Sequence, residues 1–147
     1  MNDQTAQHLA ALRSALLSLE PTGNEGFEGL MASTLATVCN QPFRLASSGS
    51  QRGRDGDNAF DDGGTYFEAK RYQDEVPKGE IAAKLMSLAT DNKGQVNTWF
   101  LGVTSEVSAQ NAELYKNAAA SNGIGLVLLD WSGSSLPALA TLLGMAA

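Results

Sequence analysis

The chain has one cysteine, one histidine and no long apolar run, and each shortage closes off a class of function. With Cys39 alone there is no intrachain disulfide, so the fold needs no oxidising compartment and a cytoplasmic setting is expected. Cys39 reads as a small core residue rather than a nucleophile. A zinc site draws on several Cys or His ligands, whereas His8 sits on an amphipathic stretch with no partner motif. The longest apolar runs, 124–129 and 136–147, fall short of the roughly 20 residues that span a bilayer, so no membrane partner is expected. The opening residues have neither a basic start nor an unbroken apolar centre and do not read as a signal peptide. The segment SGSQRG at 48–53 lacks the Gly-Lys-Ser/Thr ending of a phosphate-cradling loop.

Basic residues are also scarce, ten against sixteen acids in 147 residues, for a net charge of −6. That balance weighs against a nucleic-acid partner, since phosphate contacts call for Lys and Arg. The distribution offsets it. Seven of the ten (Arg44, Arg52, Arg54, Lys70, Arg71, Lys78 and Lys84) fall between positions 44 and 84, among eight acids. If several of those acids hold a divalent cation, the local surface turns positive.

What is present is an ordinary globular composition, 43% hydrophobic and 18% charged, without internal repeats or low-complexity tracts. The length predicts a single domain over 1–147, with an N-terminal helix within 1–22, a core at 23–131 and a C-terminal helix at 132–147 that could lead into a further domain. Leu9, Leu12, Leu16 and Leu17 are spaced for a helix over 3–19, and Thr22-x-x-Glu25 reads as a capping box opening a second helix to about Cys39. Strands are predicted at 43–47, 55–60 and 65–72, the last two as a hairpin around DDGG, then at 98–105 and 124–131. Helices are predicted at 79–91, 108–122 and 136–145. Meander strands first and crossovers later predict an α/β fold: a mixed central sheet with helices on both faces.

The segment GRDGDNAFDDGGTYFEAKRY, residues 53–72, carries the chemistry. Alternation along the strand at 65–72 puts Glu68 and Lys70 on one face with Tyr66 and Tyr72, roughly 7 Å between successive same-face positions, and Phe67 and Ala69 on the other. A four-residue turn at 61–64 sets Asp57 opposite Glu68, while other loop geometries bring Asp55 there. Converging carboxylates repel unless one is protonated or a hard cation binds between them. Oxygen ligands alone suit Mg²⁺ or Mn²⁺. A lysine beside such a cation can contact a phosphoryl oxygen, or position and deprotonate an attacking water. An acid two residues before a lysine is expected about once by chance in a chain of this length. Asp91-Asn92-Lys93 is a second match, and it reads as a solvated turn.

Context separates the two matches, and it resembles the PD-(D/E)xK nuclease superfamily, the restriction-endonuclease-like fold, over about residues 25–131. GFEGLMASTLATV looks like the family's first core helix with its acidic residue, Glu28. GRDGDN looks like its Asp strand and YFEAKRY like its Glu-x-Lys strand. GVTSEVSAQNAELYKNAAASNGIGLVLLDW is similar to the strand–helix–strand of the Mrr-type and Holliday-junction-resolvase branches. The resemblance implies an αβββαβ core with an added αβ unit. It implies Glu28, Asp55 and Glu68 as ligands of Mg²⁺, with Mn²⁺ as a substitute, and Lys70 as the catalytic lysine. Asp57 and Gln73 are secondary candidates, and Arg52, Arg54 and Arg71 are candidate DNA contacts. The family's proline before the Asp is Arg54 here. The expected activity is hydrolysis of DNA by an endonuclease domain of a restriction or anti-phage defence protein, acting as a homo-oligomer or with a linked sensor domain. A junction resolvase or ribonuclease of the same fold, and an inactive interaction module, are the alternatives.

Overall fold

The computed structural model describes residues 2–45, 56–58, 64–92, 96–132 and 136–147, with backbone alone at 56–58, 91 and 92. Among these residues the element order is α1 (Asp3–Ser18), α2 (Phe27–Cys39), β1 (Phe43–Leu45), β2 (Gly56–Asn58), β3 (Thr65–Lys70), α3 (Lys78–Asn92), β4 (Thr98–Val103), α4 (Ala109–Ser121), β5 (Gly125–Leu129) and α5 (Ala138–Ala146). All ten elements occur in the order the sequence predicts. One five-stranded sheet runs β1-β2-β3-β4-β5. The pairs β1–β2 and β2–β3 are antiparallel, whereas β3–β4 and β4–β5 are parallel. Short connections permit the first two pairings; α3 and α4 serve as the crossovers that parallel neighbours require.

Each face of the sheet carries its own apolar layer. Phe67, Ala69 and Leu129 pack with Leu16, Phe27, Met31, Leu35 and Leu139 of α1, α2 and α5. Trp99, Leu101 and Val103 pack with Ile81, Leu85, Leu88, Tyr115 and Ala119 of α3 and α4. The two-residue period of β3 and β4 divides their side chains between these layers, as helices on both faces demand. Gly102 belongs to the first side. A Cβ there would stand 2.7 Å from Met31 Cε, so the absent side chain lets α2 lie close against β4.

The expected capping box does not form. Helix α2 begins at Phe27, with Gly26 as its cap and no side-chain capping bond. Gly23 adopts φ +87°, and a Cβ on Gly26 would overlap the Thr22 carbonyl oxygen. These two glycines fold residues 22–26 tightly over the helix start, and the cap falls at Gly26, four residues beyond the expected Thr22. Glu28 takes over: its Oε1 accepts the Gly23 N–H at 2.9 Å. The β2–β3 register decides against one of the two alternatives left open by the sequence. Asp57 pairs with Tyr66, and Gly56 with Phe67, so Asp57 is not opposite Glu68. The connection from β2 to β3 is longer than the four-residue turn assumed, and an antiparallel ladder slides accordingly.

Candidate active site

Glu68 is wholly inside the protein, one residue beyond Phe67, which pairs with Gly56 of β2. Its backbone is fixed by the parallel ladder, in register with Leu101. Its Oε1 lies 3.0 Å from Lys70 Nζ and 3.6 Å from Lys84 Nζ. Neither carboxylate oxygen accepts a well-aligned hydrogen bond from a described donor. Burial raises the Glu68 pKa, against the opposing pull of the two ammonium charges. The arrangement is costly: a buried ion pair recovers its desolvation penalty only with good geometry and additional hydrogen bonds.

Lys70 shares the face of Glu68, as strand alternation predicts, and has a second acid that the sequence reading missed. Its Nζ donates to Glu80 Oε1 at 2.7 Å. Burial acts to lower the Lys70 pKa, but the Glu80 hydrogen bond and the Glu68 charge outweigh it, leaving the pKa raised. Glu80 is itself held: the Tyr72 hydroxyl donates to its Oε2 at 2.7 Å. Tyr72 is anchored in turn by Thr104, whose hydroxyl accepts the Tyr72 N–H and donates to the Tyr72 carbonyl, each at 2.8 Å. Thr104 thereby extends the β3–β4 contact beyond the last ladder pair. The Lys70 and Tyr72 bonds hold the Glu80 pKa below its ordinary value, and the same carboxylate raises that of Tyr72.

Glu80 and Lys84 stand four residues apart on α3, one helical turn, and both meet β3 side chains. In sequence that spacing is indistinguishable from a solvated surface pair. Their flanking of inward Ile81 and Leu85 was the available signal; that the stripe faces Glu68 follows only from the crossover.

Glu28, Glu68, Ala69, Lys70, Arg71 and Lys84 line one cavity of about 330 Å³. The structure thus brings together three of the predicted site residues, Glu28, Glu68 and Lys70. Arg71 borders the same space, but its Nη1 donates to the Leu17 carbonyl at the end of α1 at 2.8 Å, which gives it a tethering role. Gln73 is placed elsewhere. It borders a second cavity of about 600 Å³ beyond the carboxyl ends of the parallel strands, with Arg13, Glu75, Ser105, Glu106 and Trp131 among the other lining residues. The strand ends at Lys70, three residues before Gln73, so strand alternation does not carry to Gln73. Asp57 has the register given above. Asp55, Arg52 and Arg54 lie outside the described residues. Among the described residues no group of three or more acids, histidines or cysteines is close enough to hold a metal ion. No described helix is long and apolar enough to cross a membrane.

Neither the models of known protein families nor the curated proteins gave a significant match to this chain.

Proposed function

We propose that the chain is a metal-dependent endodeoxyribonuclease with a restriction-endonuclease-like core, in which Asp55, Glu68 and Glu28 hold Mg²⁺ or Mn²⁺ and Lys70 acts beside them. The observation that carries this reading is Glu68: an enclosed carboxylate, neither oxygen in an aligned hydrogen bond from a described donor, with two ammonium groups within 3.6 Å. Such a charge stabilises a fold weakly, and well-packed apolar replacements of buried ion pairs are often more stable. Perturbed, costly charges cluster where chemistry uses them.

The donors at hand fit a hard cation. Glu28 and Glu68 carry oxygen donors bordering one cavity, and Asp55 is the proposed third. A bound divalent metal supplies charge neutralisation on the phosphate and a more acidic water. Lys70, whose pKa is raised, keeps its proton in this arrangement. Its role is therefore to donate hydrogen bonds that orient the nucleophile or a phosphoryl oxygen, rather than to act as the base that sequence reasoning allowed. Arg52 and Arg54 would contact the DNA backbone, and Arg71, tethered to Leu17 through one Nη, would do so only with its remaining donors. The setting proposed is cytoplasmic: the effector of a restriction or anti-phage defence protein, working as a homo-oligomer or under a linked sensor domain.

The test is incubation of supercoiled plasmid with the protein in Mg²⁺. Nicking or linearisation is expected, abolished by EDTA and by Lys70→Ala; cleavage that survives both would overturn the assignment. Parallel branched-DNA and RNA substrates separate the duplex endonuclease from a junction resolvase or ribonuclease. A second reading, a non-catalytic interaction module, is favoured by the engagement of Lys70 with Glu80. It predicts no heat in a calorimetric Mn²⁺ titration, where the nuclease predicts binding that Glu68→Gln weakens.

A further inference from the structure

The two lysines facing Glu68 are not equivalent. Lys70 contacts two carboxylates, at 3.0 Å and 2.7 Å, and the second of these is fixed through Tyr72 and Thr104. Removing Glu68 from the set leaves Lys70 still paired and still in place. Lys84 approaches Glu68 at 3.6 Å, and among the described residues it has no other acid within ion-pair distance. Its side chain is more open than that of Lys70, 26% against 14% exposed, and it borders the cavity at the end of a flexible four-carbon stem.

Both Glu68 oxygens are screened from solvent. A cation reaching them has to displace a neighbour, and Lys84 is the neighbour that is free to leave. A divalent charge on Glu68 then repels the ammonium that Glu68 formerly attracted. The outcome is an unpaired cation lining the cavity, with an anion as its natural partner.

We propose that Lys84 is the phosphate-contacting lysine of the cavity, paired with Glu68 until a divalent cation takes that carboxylate and released to the DNA backbone when it does. This rests on the nuclease reading and adds to it a division of labour: Lys70 tethered by Glu80, Lys84 mobile and exchanged by the metal.

The experiment uses the whole 147-residue chain, Mn²⁺ calorimetry, and binding of a short fluorescent DNA duplex with Ca²⁺, a weaker Lewis acid than Mg²⁺, or with EDTA. Lys84→Gln should bind Mn²⁺ at least as tightly as the wild type, because a competing cation is gone. In Ca²⁺ it should bind duplex about 10-fold more weakly, with a salt dependence shallower by about one counterion. In EDTA the two proteins should bind duplex equally, and Lys84→Arg should recover binding in Ca²⁺. Lys84→Met, which keeps the aliphatic stem, should repeat the result and guards against a packing defect. Equal duplex binding by wild type and variant in Ca²⁺, a deficit of the same size in EDTA, or loss of Mn²⁺ affinity in both Lys84→Gln and Lys84→Met would each overturn the inference. Absence of Mn²⁺ binding by the wild type would sink the nuclease reading and this inference with it, a result distinct from the other three.

Discussion

The two cavities at this end of the sheet differ in a way that size conceals. The larger, about 600 Å³, is bordered mostly by exposed polar side chains, and its arginine is occupied: Arg13 Nε and Nη2 donate to the carbonyls of Thr104 and Gln73 at 2.8 and 2.7 Å. Those bonds tie α1 to the ends of β3 and β4, a structural use. The smaller, about 330 Å³, holds an enclosed carboxylate facing two lysines, one of them also bound to Glu80, a carboxylate braced by a tyrosine. Unrelieved electrostatic cost marks where the protein has given up stability, and that is the better guide to chemistry.

The sharpest way to break this comparison is to mutate both cavities and read one activity. Glu68→Gln keeps the shape and removes the charge, and plasmid cleavage in Mg²⁺ should fall by about 10³-fold. Gln73→Ala, in the larger cavity, should leave cleavage within about twofold of the wild type. A loss of comparable size in Gln73→Ala would show that the two spaces form one working site, and the distinction would collapse.

Part of this comparison was legible before any coordinates. The order of all ten elements follows from apolar period and turn residues, and the shared face of Glu68 and Lys70 follows from strand alternation alone. The family resemblance named Glu28 as a metal ligand, and Glu28 borders the cavity that Glu68 and Lys70 line. Three things were not legible. The start of α2 moved because Gly23 and Gly26 permit a fold-back that the Thr22–Glu25 pattern does not encode. The β2–β3 register depended on a connection longer than DDGG implies. Glu80 and Lys84 read as a solvated helical pair, because i to i+4 spacing says which side chains are neighbours and not what they face. Local rules reached the elements; contacts made through a crossover had to be seen.

An intermediate effect is expected for the brace itself. The Lys70 and Tyr72 bonds lower the Glu80 pKa, so its stabilising contribution is fully present above the ordinary value of 4.5 and is lost as pH falls through the lowered folded-state value. Glu68 runs the opposite way: burial raises its pKa, so its contribution is intact in acid and is lost as pH rises through the folded-state value. Thermal melts of Glu80→Gln against the wild type should show a deficit near pH 7 that closes as the pH drops below about 4.5. The variant should also cleave more slowly, by about 10-fold, because Lys70 loses its tether. A melting deficit that is flat or widens toward acid would mean that Glu80 acts through packing alone, and the smaller cavity would lose its claim to an electrostatic scaffold.

The smallest effect is expected at Ser105, and it probes the other side of the comparison. Its hydroxyl borders the larger cavity, is buried, and has no described hydrogen-bond partner. A buried hydroxyl without a partner contributes desolvation cost and little else, so its removal forfeits no bond. Ser105→Ala should therefore change the unfolding free energy by no more than about 0.5 kcal/mol, in either direction, and leave cleavage untouched. A destabilisation beyond about 1.5 kcal/mol would mean that the hydroxyl holds an ordered water or ligand within a polar network. The larger cavity would then be a built site in its own right, and buried cost would no longer single out Glu68.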